Sequence, residues 1–242
     1  MLGLGNSITG GAALESAFDI TTVSNLEIWL KNGGTQTLNS GNIAQWNDES
    51  GNDNHAVQTT AGFQPQADGG GALLDGSDDR FDMTSGLTLE AFHLFIVLDL
   101  DTLTNQTLIG KSDDSGNFIR ITDADGYRHK ARNGAETVIF DYTSGKTLSA
   151  DTKFMYEVTR EYRQESEIEV FRNNGEHLNE TPASGSNASE VTNGFAVDQL
   201  FTQRNNSTNI NGHVYEFVLF STQLSGDDLT NVRNDILTRN GL

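Results

Sequence analysis

The sequence has no cysteine, which excludes disulfides and thiolate metal centres and leaves the redox compartment undecided. Proline is almost missing, at Pro65 and Pro182 alone. Positive charge is scarce: 15 Lys and Arg stand against 34 Asp and Glu, a net charge of −19. Such a chain repels phosphate backbones, which excludes nucleic acid as an expected partner. The acids are spread along the chain, as on a solvated surface. No apolar run approaches membrane-spanning length, so no membrane partner is expected. No Lys or Arg precedes Lys31, so the basic start of a secretory signal is missing. The expectation is a soluble product of the cytoplasm in which it is made.

What the chain does have is turns and short apolar alternation. Glycine and asparagine are plentiful, and both tolerate positive φ. Leu26, Ile28 and Leu30 share one face of a strand. His93 to Leu100 is almost continuously apolar, as in a strand buried on both faces. Phe118–Asp123, Thr137–Tyr142, Phe154–Thr159 and Glu167–Arg172 alternate, and Phe195–Phe201 and His213–Phe220 add two more strands. Asn173-Asn174-Gly175 is a hairpin signal. Near the end, Ser225 with Asp228 reads as a capping box opening a helix, with Leu229, Val232 and Ile236 on one face. Asp227 and Asp228 suit the positive end of that helix, Arg239 the negative end, and Gly241 the stop. Many short strands in 242 residues without a linker predict one antiparallel two-sheet sandwich over 25–242. Residues 1–24 are small, Gly-rich and weakly patterned, and read as an extended N-terminal arm with Leu2, Leu4, Ile8, Leu14 and Phe18 as apolar anchors.

Chemistry-bearing motifs are few. Gly110-Lys111-Ser112 lacks the first glycine of a P-loop, since Asn105 stands there, and Gly3-Leu4-Gly5 follows no strand. The five histidines show no HExxH spacing, and no GxSxG elbow occurs. Glu165, Glu167 and Glu169 alternate as glycosidase carboxylates can. The intervening Ile168 and Val170 are apolar, however, which turns the glutamates to solvent. The stretch Gln45-Trp46-Asn47-Asp48-Glu49-Ser50-Gly51-Asn52-Asp53-Asn54-His55 packs three acids, four amides and a histidine into eleven residues. It reads as a turn or as a metal loop. Calcium is the one metal the residues suit, with Asp48, Asn52 and Asp53 as oxygen ligands. No loop follows the full EF-hand spacing, and no other cofactor is expected.

Four segments in order resemble a known family: Leu26-Glu27-Ile28-Trp29-Leu30, then Gln45 to Asn52 with His55-Ala56, then Pro65 with Gly76-Ser77-Asp78-Asp79-Arg80-Phe81, and finally Gly212 to Phe220 leading through Leu224-Ser225 into the terminal helix. Together they resemble the concanavalin A-like, laminin-G-like jelly roll. The resemblance implies an all-β sandwich with a short C-terminal helix. It also implies that Trp46 packs inward while Asp48, Ser50 and Asn52 tie a loop through side-chain to backbone bonds.

The fold hosts lectins, glycosidases, adhesion modules and virion proteins. The opening Met1-Leu2-Gly3-Leu4-Gly5-Asn6-Ser7-Ile8-Thr9-Gly10-Gly11 resembles structural proteins of tailed bacteriophages. The expectation is therefore a non-enzymatic virion protein made in the host cytoplasm and docked by its arm on a capsid or tail partner, with homo-oligomers allowed. The alternative is a carbohydrate-binding, lectin-like module for host-surface glycans, assisted by calcium. An enzyme using Glu167 or Glu169 comes third.

Overall fold

A computed structural model describes residues 18–113, 116–124, 126–133, 136–143, 147–161, 168–173, 175–178, 181–182, 194–204 and 207–242. In chain order the strands are β1 (Leu26–Leu30), β2 (Gln36–Asn39), β3 (Asn42–Trp46), β4 (Ala56–Val57), β5 (Gln66–Asp68), β6 (Gly71–Asp75), β7 (Phe81–Leu89), β8 (Phe92–Leu100) and β9 (Gln106–Gly110). They continue with β10 (Phe118–Ile121), β11 (Gly126–Asn133), β12 (Glu136–Thr143), β13 (Phe154–Arg160), β14 (Ile168–Arg172), β15 (Glu176–His177), β16 (Thr181–Pro182), β17 (Phe195–Leu200) and β18 (Asn211–Phe220). One helix, α1, follows at Gly226–Asn240. Each strand expected from alternation overlaps an observed one; Glu167 lies outside the described residues.

Among the described residues all pairings are antiparallel. The first sheet runs β15, β14, β13, β8, β18, and the far edge of β18 is shared by β1 and β6. The second runs β16, β12, β11, β10, β9, β17, β7, β4, β3, β2. β5 pairs with both β3 and β6 and so joins the two sheets along one side. This is the jelly-roll sandwich.

Alternation decides what fills it. On β8, Leu94, Ile96 and Leu98 face the inter-sheet core, as do Phe217 and Leu219 of β18 and Tyr156 and Val158 of β13. The second sheet supplies Phe81, Leu108, Ile119, Ile121, Tyr127 and Phe195. Phe201 meets Phe81 and Phe217 edge to face, with centroids 6.0 and 6.1 Å apart. Each such ring contributes about 1.5–3 kcal/mol by leaving water.

The near-continuous apolar run of β8 has a second explanation in its other face. Phe95 and Val97 point outward with Met155, Val218, Phe220 and Trp29, and α1 covers them with Val232, Ile236 and Leu237. Ile20, in a short 3-10 turn at Ile20–Thr22, and Val23 complete this outer layer, and Phe18 packs against it. The helix ends as expected: Gly241 takes the left-handed conformation at φ 70°, and its N–H bonds to Leu237 O and Thr238 O. Its start differs. Ser225 occupies the N-cap position but makes no side-chain cap bond, so the expected capping box does not form. Asp227 and Asp228 still lie in the first turn. The Asn173 hairpin is present, with Asn173 and Gly175 at φ 48° and 79° and Arg172 opposite Glu176.

Candidate functional site

The loop from Gln45 to His55 is a structural tie. Trp46 is fully buried and its Nε1 donates to Lys31 O at 3.3 Å. Asp48 Oδ1 accepts from the N–H groups of Trp29 (2.8 Å) and Ser50 (2.9 Å). Its Oδ2 accepts from Ser50 Oγ (2.7 Å) and the N–H of Asn54 (3.0 Å). Asn52 and Asn54 then reach across to β1, donating to Leu26 O (2.6 Å) and Glu27 O (3.0 Å). The Asp48 carboxylate is thus committed to four donors, while the Asp53 side chain is 90% exposed. Asp48, Asn52 and Asp53 serve three different surroundings: loop backbone, β1 and solvent.

A different acidic group lies between β6 and β7. Oxygens of Asp75, Asp78 and Asp79 come within 4.8 Å of one another, close enough to share a cation. Asp75 Oδ1 accepts from the Ser77 N–H, and Asp79 Oδ2 from the Asp75 N–H at 3.1 Å. Burial, followed by the charges of Asp75 and Asp78, pushes Asp79 up to about 6. Ionising Asp79 therefore costs more in the folded than in the unfolded chain. The cost is absent below the ordinary 3.8, grows as pH rises toward 6, and is complete above it. Asp79→Asn keeps an acceptor for the Asp75 N–H and removes the charge. It should raise stability by about 1–2 kcal/mol at pH 7.5, after allowance for solvent screening, and leave it unchanged at pH 4. Melting curves at both pH values check this, and an equal gain at both would rule out the charge as its cause.

Of the alternating glutamates, Glu165 and Glu167 lie outside the described residues. Glu169 sits on the outer face of β14, half exposed and 3.7 Å from His177. The buried acids are others, beneath α1. Glu157 of β13 accepts from Arg233 Nε (2.8 Å) and Nη2 (2.7 Å) and meets His93 Nε2 at 2.9 Å. The Leu224 N–H donates to His93 Nδ1, so the ring proton is on Nε2 and is given to Glu157. Burial holds the His93 ring below its ordinary value, which keeps it neutral. Burial alone would raise Glu157, but the bonds from His93 and Arg233 outweigh it and hold the carboxyl below its ordinary value. Glu216 of β18 accepts from Arg239, Trp29 Nε1 (2.7 Å) and Asn240 Nδ2 (2.5 Å). Both carboxylates are fully buried and saturated, which makes them locks for the helix rather than reactive groups.

Next to this layer a cleft of about 240 Å³ opens where the loop before β13 meets the β14–β15 hairpin. Leu148 and Phe154 form its apolar floor. Its polar rim holds Ser149, Lys153, Arg172 and Glu176. Arg172 is fixed by a fork onto Glu176 (2.9 and 2.6 Å) and by Thr147 O (3.1 Å). Lys153 Nζ donates to Asn240 O at 2.8 Å and lies over the Tyr215 ring at 4.1 Å. The arrangement has one wall that attracts apolar atoms and a rim of preset donors and acceptors. Sequence reasoning passed over it because its residues come from two loops and become neighbours only through β13–β14 pairing.

The arm anchors Leu2, Leu4, Ile8 and Leu14 lie outside the described residues. Phe18 is committed to the domain's own outer apolar layer. Gly110-Lys111-Ser112 is tied down by Asp198, which accepts from the Ser112 N–H (2.7 Å) and Oγ (2.9 Å). Among the described residues no helix is long and apolar enough to cross a membrane.

No protein-family model and no curated protein sequence matches the chain. Solved structures do. The chain is similar in fold to domain 4 of AbnA, a GH43 extracellular arabinanase from Geobacillus stearothermophilus, in complex with arabinotriose. The TM-score is 0.55 at 13% identity, over 88% of this chain and 98% of that one. It is also similar to Trypanosoma rangeli sialidase, with a TM-score of 0.56 at 14% identity over 89% of this chain. The chain spans about a third (33%) of that sialidase. The CBM40 of Ruminococcus gnavus IT-sialidase, bound to α2,3-sialyllactose, aligns over 67% of this chain with a TM-score of 0.48. The first two likenesses bear out the jelly-roll sandwich.

Proposed function

We propose that this chain is a non-catalytic carbohydrate-binding module that takes a short glycan in the cleft between the loop before β13 and the β14–β15 hairpin. The observation that carries the reading is the correspondence with almost the whole of an arabinotriose-bound domain, in a chain with a cleft of suitable chemistry. Phe154 and Leu148 would take the C–H face of a sugar ring. The Arg172–Glu176 fork, Lys153 and the Ser149 hydroxyl would meet its hydroxyls. Because Arg172 and Lys153 are held in place beforehand, binding loses little side-chain freedom. A non-catalytic role agrees with the saturated state of Glu157 and Glu216.

Ser149→Trp tests the site, since Ser149 is exposed and the indole would fill the cleft without touching the core. On a glycan array and by calorimetry with arabino-oligosaccharides, the wild type should bind a neutral oligosaccharide. Ser149→Trp should weaken that binding at least tenfold with an unchanged melting temperature. A blank array from folded protein would sink the reading, and full binding by Ser149→Trp would move the site elsewhere. Repeating the titration with calcium and with chelator tests the calcium-assisted form.

A further inference from the structure

We propose that α1 is a proton-released brace for the glycan cleft: it supports both walls, and a proton taken up by His93 beneath its start frees it from the sheet. The proposal rests on the carbohydrate-binding reading and adds a regulation of that same site.

α1 meets the cleft twice. On one side is the β14–β15 hairpin, which carries Arg172, Asn173 and Glu176. The Arg233 guanidinium lies against that hairpin, so close to Gly175 that a Cβ there would stand 2.9 Å from Nη1. It is also 5.8 Å from the ring centroid of Phe171, the β14 residue before Arg172. On the other side, Lys153 Nζ donates to the carbonyl of Asn240, the last residue of α1, at 2.8 Å. A helix that lifts takes the guanidinium from one wall and the carbonyl from the other. It can lift without opening the inter-sheet core, because the apolar layer under α1 is a separate cluster.

His93 sits at the root of this contact and is 1% exposed. Both ring nitrogens are used in the neutral form. Nε2 gives its proton to Glu157, and Nδ1 accepts from the N–H of Leu224, two residues before α1. A second proton on Nδ1 would face that N–H donor to donor, so the bond holding the entry to α1 has to break. The ring cannot turn aside, since it is stacked on Phe95 with centroids 4.4 Å apart and planes 5° from parallel. Glu157 Oε1 already serves Arg233, so a charged ring would set two cations on one carboxylate oxygen. The charged groups around the ring are Glu157 from β13, Arg233 from α1 and Glu169 from β14, with His177 of β15 beyond Glu169. Phe220, opposite His93 on β18, brings no charge.

The sign of the effect follows from burial. Burial holds the closed ring below its ordinary 6.5, against the opposing bond to Glu157. With α1 lifted the ring is hydrated and regains its ordinary value. Protons therefore favour the lifted state as pH falls through 6.5, by up to about tenfold per pH unit for one proton. Glu157 is held below its ordinary 4.5 by His93 and Arg233, despite burial, and adds to the same direction only below 4.5. Of this pair, His93 alone responds between 6.5 and 4.5.

The test is amide hydrogen exchange on the full chain at pH 7.5 and 5.5, expressed as protection corrected for the intrinsic rate. Wild-type protection in α1 and at Gly175 should fall together at the lower pH, by threefold to about tenfold, the limit for one proton. β8 should stay better protected than α1 at both values. His93→Gln keeps an oxygen for the Leu224 N–H and an NH2 group for Glu157, and should cut the fall to under twofold. If that variant does not fold, a wild-type series decides: protection should be flat from pH 8.5 to 7.5 and fall below 6.5. A series that starts to fall only below 4.5 overturns the assignment to His93. So does an undiminished fall in folded His93→Gln. No fall in the wild type, or equal protection in α1 and β8, overturns the release of the helix. A fall in α1 without one at Gly175 overturns the brace. Arabinotriose at 100 times its dissociation constant should raise α1 protection at least tenfold, because only the braced cleft holds it. Bound arabinotriose that leaves α1 unchanged overturns the regulation of the site. Arabinotriose that does not bind counts against the carbohydrate reading alone, and α1 with Gly175 still decides the brace.

Discussion

Replacing Arg239 with alanine destabilises the domain by about 3–5 kcal/mol, the range for stranding one partner of a buried ion pair. Arg239 reaches from the last turn of α1 to Glu216, whose carboxylate is fully buried on β18, and its NH2 group lies 2.8 Å from Oε1. Without it Glu216 keeps, among the described residues, Trp29 Nε1 and Asn240 Nδ2, two neutral donors facing a carboxylate. The loss should appear as a lower urea midpoint with an unchanged slope. It should be accompanied by a change in Trp29 fluorescence, because the guanidinium also lies 5.1 Å from that ring. Removing both charges, as in Arg239→Leu with Glu216→Met, should recover most of the loss, since an apolar pair of similar volume needs no hydration replaced. A double variant no better than the single one would mean that the pair specifies helix position rather than merely balancing charge. Salt should affect the wild type little, because the acid is shielded from solvent.

Asp48→Asn should cost about 2–4 kcal/mol, on the scale of buried hydrogen bonds to a charged acceptor. An amide presents one oxygen and one NH2 group where the carboxylate presents two acceptors. Two of the four donors, from Trp29, Ser50 and Asn54, then face a donor. The damage spreads to β1, because the same loop places Asn52 and Asn54 against Leu26 O and Glu27 O. Hydrogen exchange at Trp29 and Asn54 should accelerate before exchange in β8. The wild-type melting temperature should not respond to calcium through this loop, and a rise on calcium addition that Asp48→Asn abolishes would reverse that assignment. Asp48→Ala, which removes all four bonds, should cost at least as much as Asp48→Asn.

The two locks were hard to read in the sequence for one reason. Glu157 and Glu216 sit in strands that otherwise alternate normally, Phe-Met-Tyr-Glu-Val-Thr-Arg and His-Val-Tyr-Glu-Phe-Val-Leu-Phe. Their parity assigns them to the face away from the core, and for most strands that face is wet. The available clue was that the same face also carries Met155, Val218 and Phe220, too apolar for solvent. A charged residue amid such neighbours implies a covering element with an opposite charge, and α1 brings Arg233 and Arg239. β11 escaped for the opposite reason. Its alternate positions 128, 130 and 132 are cations, so its apolar alternation is too thin to announce a strand, and only pairing with β10 and β12 fixes it. β2 and β4, of four and two residues, are too short for any period to show.

The sequence by itself determined the alternating strands, the hairpin at Asn173 and the terminal helix with its glycine stop, while the inward Trp46 and the tied loop around Asp48 followed from the family resemblance. The strands, hairpin and helix depend on residues within a few positions of one another, where alternation, turn chemistry and helix termini act directly. Tertiary structure alone decided that one sheet is covered by α1 and the other is not. It also decided that Leu148, Lys153 and Arg172 line one cleft, and that Arg120 stands beside Arg128. Those relations depend on strand register and on which elements stack, set by the summed burial of the whole core rather than by any local segment.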